Sequence, residues 1–93
     1  MGRYTVNLAT SADEDLFYWE KIGDKSIDKK IEKLLNELKE HPTTGTGKPE
    51  LLRGNLAGCW SRRLNGKHRI IYEINEGALT VLVLSLHGHY GDK

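Results

Sequence analysis

Glu50 is the one carboxylate in a stretch of cations. Between Thr43 and Tyr72 the chain carries Lys48, Arg53, Arg62, Arg63, Lys67 and Arg69 against Glu50 alone, a local balance of +5. A carboxylate among positive charges stays ionised and can take a proton from a substrate, which is the work of a general base. The plain alternative is a surface ion pair with Lys48 or Arg53. Four of the six cations are arginines, whose planar fork matches phosphate oxygens. They read either as a solvated basic face or as a polyanion-binding surface. A second group is Leu86-His-Gly-His-Tyr90. His87 and His89 lie two apart, so in an extended chain they share a face and Tyr90 turns the other way. A histidine near its ordinary pKa of about 6.5 can protonate a leaving group. Two other readings of this tail stay open: a zinc site built from His87, His89 and either Cys59 or His68, and a disordered tail that merely contains two histidines.

Together a carboxylate, arginines, a histidine and a tyrosine make the parts list for metal-free RNA cleavage. A base removes the 2′-OH proton and the oxygen attacks the adjacent phosphorus. Arginines stabilise the charge growing on the phosphate oxygens, and an acid protonates the departing 5′-oxygen. The 2′-OH nucleophile restricts this chemistry to RNA and calls for neither a metal nor a cofactor.

The elements that must position these groups follow from periodicity. Tyr4, Val6 and Leu8 alternate with polar residues and predict a first strand, Tyr4–Leu8. Thr10 or Ser11 offers an N-cap, with Asp13, Glu14 and Asp15 in the turn where carboxylates oppose the helix dipole. Leu16 and Trp19, with Phe17 beside them, give that helix an apolar stripe, and Gly23 ends it. A second helix starts near Asp24 or Ser26, carries Ile27, Ile31, Leu34, Leu35 and Leu38 on one face, and stops at His41–Pro42. Thr43–Gly58 has no period and holds four glycines and Pro49, the mark of a long functional connection. Three strands complete the chain. Cys59–Leu64 and His68–Ile74 are joined by Asn65–Gly66, a type I′ hairpin signal, and Leu79–Leu86 is apolar on both faces like a central strand. The expected fold is α+β with topology β-α-α-β-β-β, a two-helix hairpin packed on one face of a small, mainly antiparallel sheet. The other face is left for a ligand.

Strand alternation sends Trp60, Arg62 and Leu64 to one face and Cys59, Ser61 and Arg63 to the other. Trp60 reads as a core anchor in preference to a base-stacking platform, and Arg62 as a stem laid along that face with its head in solvent. Arg63 and Arg69 become near cross-strand partners on the open face. Like charges that close repel unless an anion lies between them.

Length and composition set the outer bounds. Ninety-three residues suit one small domain, 1–93, burying about 60–65% of the surface of its unfolded chain. A charged fraction of 29% against 38% hydrophobic describes a folded, soluble chain. No apolar run approaches the roughly 20 residues that cross a bilayer. The N-terminus leads into no signal-peptide core, and a single cysteine, Cys59, excludes an internal disulfide. The expected location is the cytoplasm.

Several collinear motifs extend over nearly the whole chain. They are Tyr18-Trp19, Gly45-x-Gly47-Lys-Pro-Glu50, Leu52-x-x-Asn55-Leu56-x-Gly58-x-Trp60-Ser-Arg-Arg63, His68-Arg69-x-x-Tyr72 and His89-Tyr90. In these the chain resembles the YoeB/Txe family of RelE-like toxins, ribosome-dependent mRNA interferases of type II toxin–antitoxin pairs. The resemblance implies cleavage of mRNA in the ribosomal A site, with Glu50 as general base and His89 as general acid. It implies Arg69 as the phosphate-stabilising residue, Tyr90 as an orienting group and Arg63 as a contact to the reacting mRNA. Lys48, Arg53, Arg62 and Lys67 would hold RNA. The implied partners are mRNA, the 70S ribosome and a YefM/Phd-type antitoxin, with a second copy of the chain, and operator DNA reached through the toxin–antitoxin complex, as further candidates. The rival reading is a non-catalytic translation blocker on the same fold. Three positions depart from the family pattern: Gly91-Asp92-Lys93 follow the usual His-Tyr end, Gly88 precedes the acid, and Cys59 stands at an often aromatic site.

Overall fold

The computed structural model describes residues 3–88. Five strands form one sheet in the order β1-β5-β4-β3-β2: β1 (Thr5–Leu8), β2 (Glu50–Leu51), β3 (Cys59–Arg63), β4 (Arg69–Asn75) and β5 (Thr80–Ser85). Only β1 runs parallel to its neighbour, pairing Thr5 with Thr80 through Leu8 with Val83; the other pairings are antiparallel. The helices α1 (Thr10–Ile22) and α2 (Lys25–Leu38) carry the chain from β1 at one edge of the sheet to β2 at the other, and three antiparallel pairings then bring β5 back beside β1. The expected α+β fold, a helix pair on one face of a mainly antiparallel sheet, is what forms. It gains one strand, β2, inside the glycine-rich connection.

The second helix follows its sequence closely. The Asp24 side chain accepts from the Ser26 and Ile27 amides at 2.9 and 3.2 Å, and Ile27, Ile31, Leu34 and Leu38 are buried. The first helix departs in two ways. Its cap residue is Ala9, with no side-chain hydrogen bond, because the Ser11 hydroxyl donates instead to the Leu84 carbonyl. Phe17 does not join the inward stripe: it is 62% exposed, while Ala12 and Trp19 face the sheet. The main core gathers these residues with Tyr4, Leu64, Ile70, Tyr72, Val81, Val83 and Leu86, and Trp60 packs half-buried against it.

The opposite face is not wholly open. Leu52, Cys59 and Ile71 form a second buried cluster with Leu56 and Leu84 against them. The segment leading out of β2, through a 3₁₀ turn at Gly54–Leu56, folds across that part of the sheet. What stays uncovered is the end where β2 begins, β3 ends and β4 begins. The turn joining β3 to β4 also differs from expectation. Neither Asn65 nor Gly66 has the positive φ that a type I′ turn requires. The Asn65 side chain instead accepts from the Lys67 and His68 amides at 2.8 and 2.7 Å, an Asx-type closure that widens the loop to Leu64–His68.

Candidate active site

Sheet register assembles the site. Glu50 pairs with Ser61, and two residues further along β3 Arg63 pairs with Arg69. Directly paired residues share a face, so Glu50, Ser61, Arg63 and Arg69 project together, away from the helices. With Lys48 and Pro49 they line a cleft of about 160 Å³. Inside it the Arg69 Nη1 is buried and makes no hydrogen bond among the described residues. A buried guanidinium nitrogen left without an acceptor is costly unless an anion completes it. The chemistry of this end of the sheet is therefore a carboxylate set beside two phosphate-competent cations.

The loop that delivers Lys48 and Glu50 is held by Arg62. This side chain is fully buried, whereas the sequence suggested a cation with its head in solvent, available to RNA. Correction follows from its partners. Arg62 Nη1 meets Glu37 Oε1 at 2.9 Å, Nε donates to the Tyr72 hydroxyl at 3.0 Å, and the remaining donors go to the carbonyls of His41, Thr44 and Thr46. An arginine whose donors are spent on one carboxylate, one hydroxyl and three carbonyls is a clamp on the chain from His41 to Thr46. Glu37 completes it by accepting from the Thr46 amide at 2.9 Å and hydroxyl at 2.7 Å. Burial pushes the Glu37 carboxyl up, but the Thr46 hydrogen bonds and the Arg62 charge outweigh it and hold the group below its ordinary range. Tyr72 donates to the Pro42 carbonyl at 2.6 Å; its pKa is raised by burial, with Arg62 opposing, so it remains a phenol.

Gly47 brings the loop onto the strand. Its carbonyl accepts the Arg63 amide at 2.7 Å, and a Cβ there would stand 2.9 Å from the Arg63 carbonyl oxygen. Its φ of +88° is open to glycine alone at little cost. Lys48 follows with φ +53°, strained for a residue with a side chain, and stands just before Pro49. Strain at the mouth of the cleft, over-determined by the clamp behind it, fits a loop whose shape serves its contents.

The expected site residues divide accordingly. Glu50, Arg63, Arg69 and Lys48 come together at the cleft. Arg53 and Lys67 are exposed and outside its lining. Arg62 is structural. His89 and Tyr90 lie outside the described residues, but Gly88, which precedes them in the chain, has its carbonyl bonded to the Arg69 amide at 2.9 Å. Ser61, Glu37 and Thr46 were not singled out by sequence. Glu37 reads there as one more outward glutamate of an amphipathic helix, and only the partner it finds across the fold distinguishes it. Among the described residues no metal-holding cluster forms around Cys59: it pairs with Glu73, about 13 Å along the sheet from Arg69, and burial first, then Glu73, raises its thiol pKa.

Residues 8–90 match the model of the YoeB-like toxin of bacterial type II toxin–antitoxin systems. The chain belongs to this family. The Escherichia coli K12 toxin YoeB is 39% identical over 74 residues, 80% of this chain and 87% of that protein. Among solved structures, a YoeB/ParE toxin from Agrobacterium tumefaciens superposes with a TM-score of 0.85 at 32% identity, covering 92% of this chain and 99% of that one. A Staphylococcus aureus YoeB, solved in a heterotetramer with YefM and as a dimer, gives TM-scores of 0.79 and 0.81 at 35% identity, covering 95% of this chain and 99% of its own in both. As a YoeB-family toxin, the chain carries the family's helix pair on a five-stranded sheet, and the cleft lies on the face those helices leave bare.

Proposed function

We propose that the chain is a ribosome-dependent endoribonuclease that cuts mRNA in the A site without a metal. The observation that carries this reading is the buried Arg69 Nη1, without a hydrogen-bond partner among the described residues, beside Glu50 and Arg63 in one cleft. Glu50 takes the 2′-OH proton; O2′ attacks the adjacent phosphorus; the P–O5′ bond breaks as the 5′-oxygen takes a proton from His89. The products are a 2′,3′-cyclic phosphate and a free 5′-OH. Arg69 and Arg63 stabilise the equatorial oxygens as charge grows on them, and Tyr90 orients the acid or the substrate. Lys48 at the rim, with Arg53 and Lys67 on the surrounding surface, holds RNA by charge.

The cation-rich cleft needs a cover when the enzyme is idle. An acidic antitoxin of the YefM/Phd type, folding as it binds, supplies the opposite charge, and the YefM-bound S. aureus relative supports such a partner. Dependence on the ribosome sets the cytoplasm as the place of action; among the described residues no helix is long and apolar enough to cross a membrane. Primer extension on a translated message tests the reading. New 5′ ends at codon positions that vanish with Glu50→Gln support the enzyme. Stalled ribosomes without new ends would make the chain a blocker.

A further inference from the structure

The chain entering the acid's position is held by groups the reaction does not use. Leu86 is fixed first: its amide donates to Asp15 Oδ2 at 2.9 Å, and its carbonyl accepts from the Trp19 indole at 2.8 Å. Two residues later Gly88, at φ +96°, is held on both sides of its Cα. Its carbonyl accepts the Arg69 amide, and its own amide donates to His68 Nδ1 at 2.9 Å. The His68 ring is itself set by its neighbours. It stacks on His87 at 4.7 Å and 22° and takes the edge of Trp19 at 4.9 Å and 85°, while Tyr18 closes on His87 at 4.4 Å.

A backbone amide can only donate, so Nδ1 of His68 accepts and the ring proton sits on Nε2. This fixes the tautomer and gives His68 a task that neither lysine nor arginine could perform. Glycine at 88 makes the task necessary. Rotation about its two backbone angles swings the next residue, His89, and glycine resists such rotation less than any other residue. Misplacing a reacting group by about 1 Å can cost 10²-fold in rate.

We propose that His68 is a positioning residue for the general acid, fixing the Gly88 backbone through Nδ1. The proposal rests on the nuclease reading with His89 as acid. Asparagine places its Oδ1 near the position of Nδ1 and can accept the same amide without a ring; glutamine extends its acceptor one bond too far. His68→Ala should therefore slow single-turnover cleavage at saturating ribosomes by about 10–10²-fold and leave ribosome affinity unchanged. His68→Asn should recover the rate to within a few fold, and His68→Gln should not.

The experiment is single-turnover mRNA cleavage with ribosome pelleting for the wild type and these three variants, together with hydrogen exchange of the Gly88 amide by NMR. Protection of that amide in the wild type and His68→Asn, and its loss in His68→Ala and His68→Gln, is the expected result. Should the alanine variant fail to fold, the asparagine–glutamine contrast carries the comparison. Cleavage by His68→Gln and His68→Ala at the wild-type rate would overturn the role of His68 alone. So would a slow His68→Asn whose Gly88 amide stays protected. A wild-type protein that leaves every message intact would instead overturn the nuclease reading, and the acid's positioning with it.

Discussion

Arg63 and Arg69 sit directly opposite one another across β3 and β4, two cations on one face of the sheet with Glu50 on the strand beyond. Directly opposed like charges destabilise a sheet by tenths of a kcal/mol to about 1 kcal/mol. Either arginine alone would be quieter for folding. The pair makes sense as half of an interaction whose other half is an anion.

Inorganic phosphate should therefore stabilise the protein through this pair. At about ten times its dissociation constant a bound anion adds about 1.4 kcal/mol, which for a chain of this size raises Tm by several degrees. Arg63→Ala should match or slightly exceed the wild-type Tm in a phosphate-free buffer and lose most of the phosphate-dependent rise. Differential scanning fluorimetry across phosphate concentrations checks both halves. An equal rise in the variant would place the anion elsewhere.

The clamp behind the cleft should be sensitive to acid. Glu37 has its pKa depressed by Thr46 and Arg62 against the opposing effect of burial. Its contribution to stability is complete above its ordinary value of about 4.5 and is lost as pH falls through the lower folded-state value. Glu37→Gln should lower stability at pH 7 and flatten its decline between pH 5 and 3. Glu37→Ala leaves a buried guanidinium short of its carboxylate. It should cost about 3 kcal/mol, the lower end for breaking a buried pair, because Arg62 keeps its three carbonyl acceptors. Urea unfolding at a series of pH values measures both effects.

Two glycines offer a matched contrast. Gly47→Ala meets the Arg63 backbone at 2.9 Å and a φ of +88°, so β2 and its Glu50 must shift. A loss of about 2 kcal/mol is expected, together with a fall in cleavage larger than the remaining folded fraction explains. Gly66→Ala meets nothing within 4 Å and has no positive φ, so it should be neutral or stabilising by up to about 1 kcal/mol. Equal damage from both would show that the Gly47 contact does not set the loop.

The parts of this molecule written in local chemistry were legible in its sequence. The Asp24 cap, the α2 stripe and the alternation of β3 each depend on neighbours a few residues away, and each reads correctly. So does the facing of Arg63 and Arg69, since alternation and the hairpin suffice to place them on one face; Glu50 joins that face only because β2, which has no periodic signal, forms inside the glycine-rich connection. What sequence could not convey were choices between partners distant along the chain. Arg62 looked like its neighbours in a basic run, yet Glu37, 25 residues away, and the carbonyls of the glycine loop claim it. Ala9 caps α1 because Ser11 is drawn to Leu84. The Asn-Gly turn abandons type I′ because the Asn65 side chain closes a wider loop. In each case a polar group had a good local option and the tertiary fold offered a better one.

Binding and chemistry should separate between two cations only two residues apart. Lys67 is exposed in the turn between β3 and β4 and does not line the cleft, whereas Arg69 opens β4 and lines it. An exposed lysine that meets a phosphate contributes by releasing counterions. Its loss should weaken ribosome binding and reduce the slope of log affinity against log salt by about one unit. The Arg69 guanidinium gains most when charge builds on the phosphate oxygens, so its loss should lower the rate of bound enzyme. Lys67→Ala should thus shift the ribosome concentration needed for half-maximal cleavage and leave the single-turnover rate at saturation nearly unchanged. Arg69→Ala should do the reverse, with a rate loss on the order of 10²–10³-fold, comparable to removing one preorganised donor from an oxyanion site. Ribosome pelleting at two salt concentrations beside single-turnover cleavage separates them. If Arg69→Ala regains the full rate at saturating ribosomes, the cleft binds phosphate without catalysing its transfer, and a ribosome-blocking toxin becomes the better account of the same two arginines.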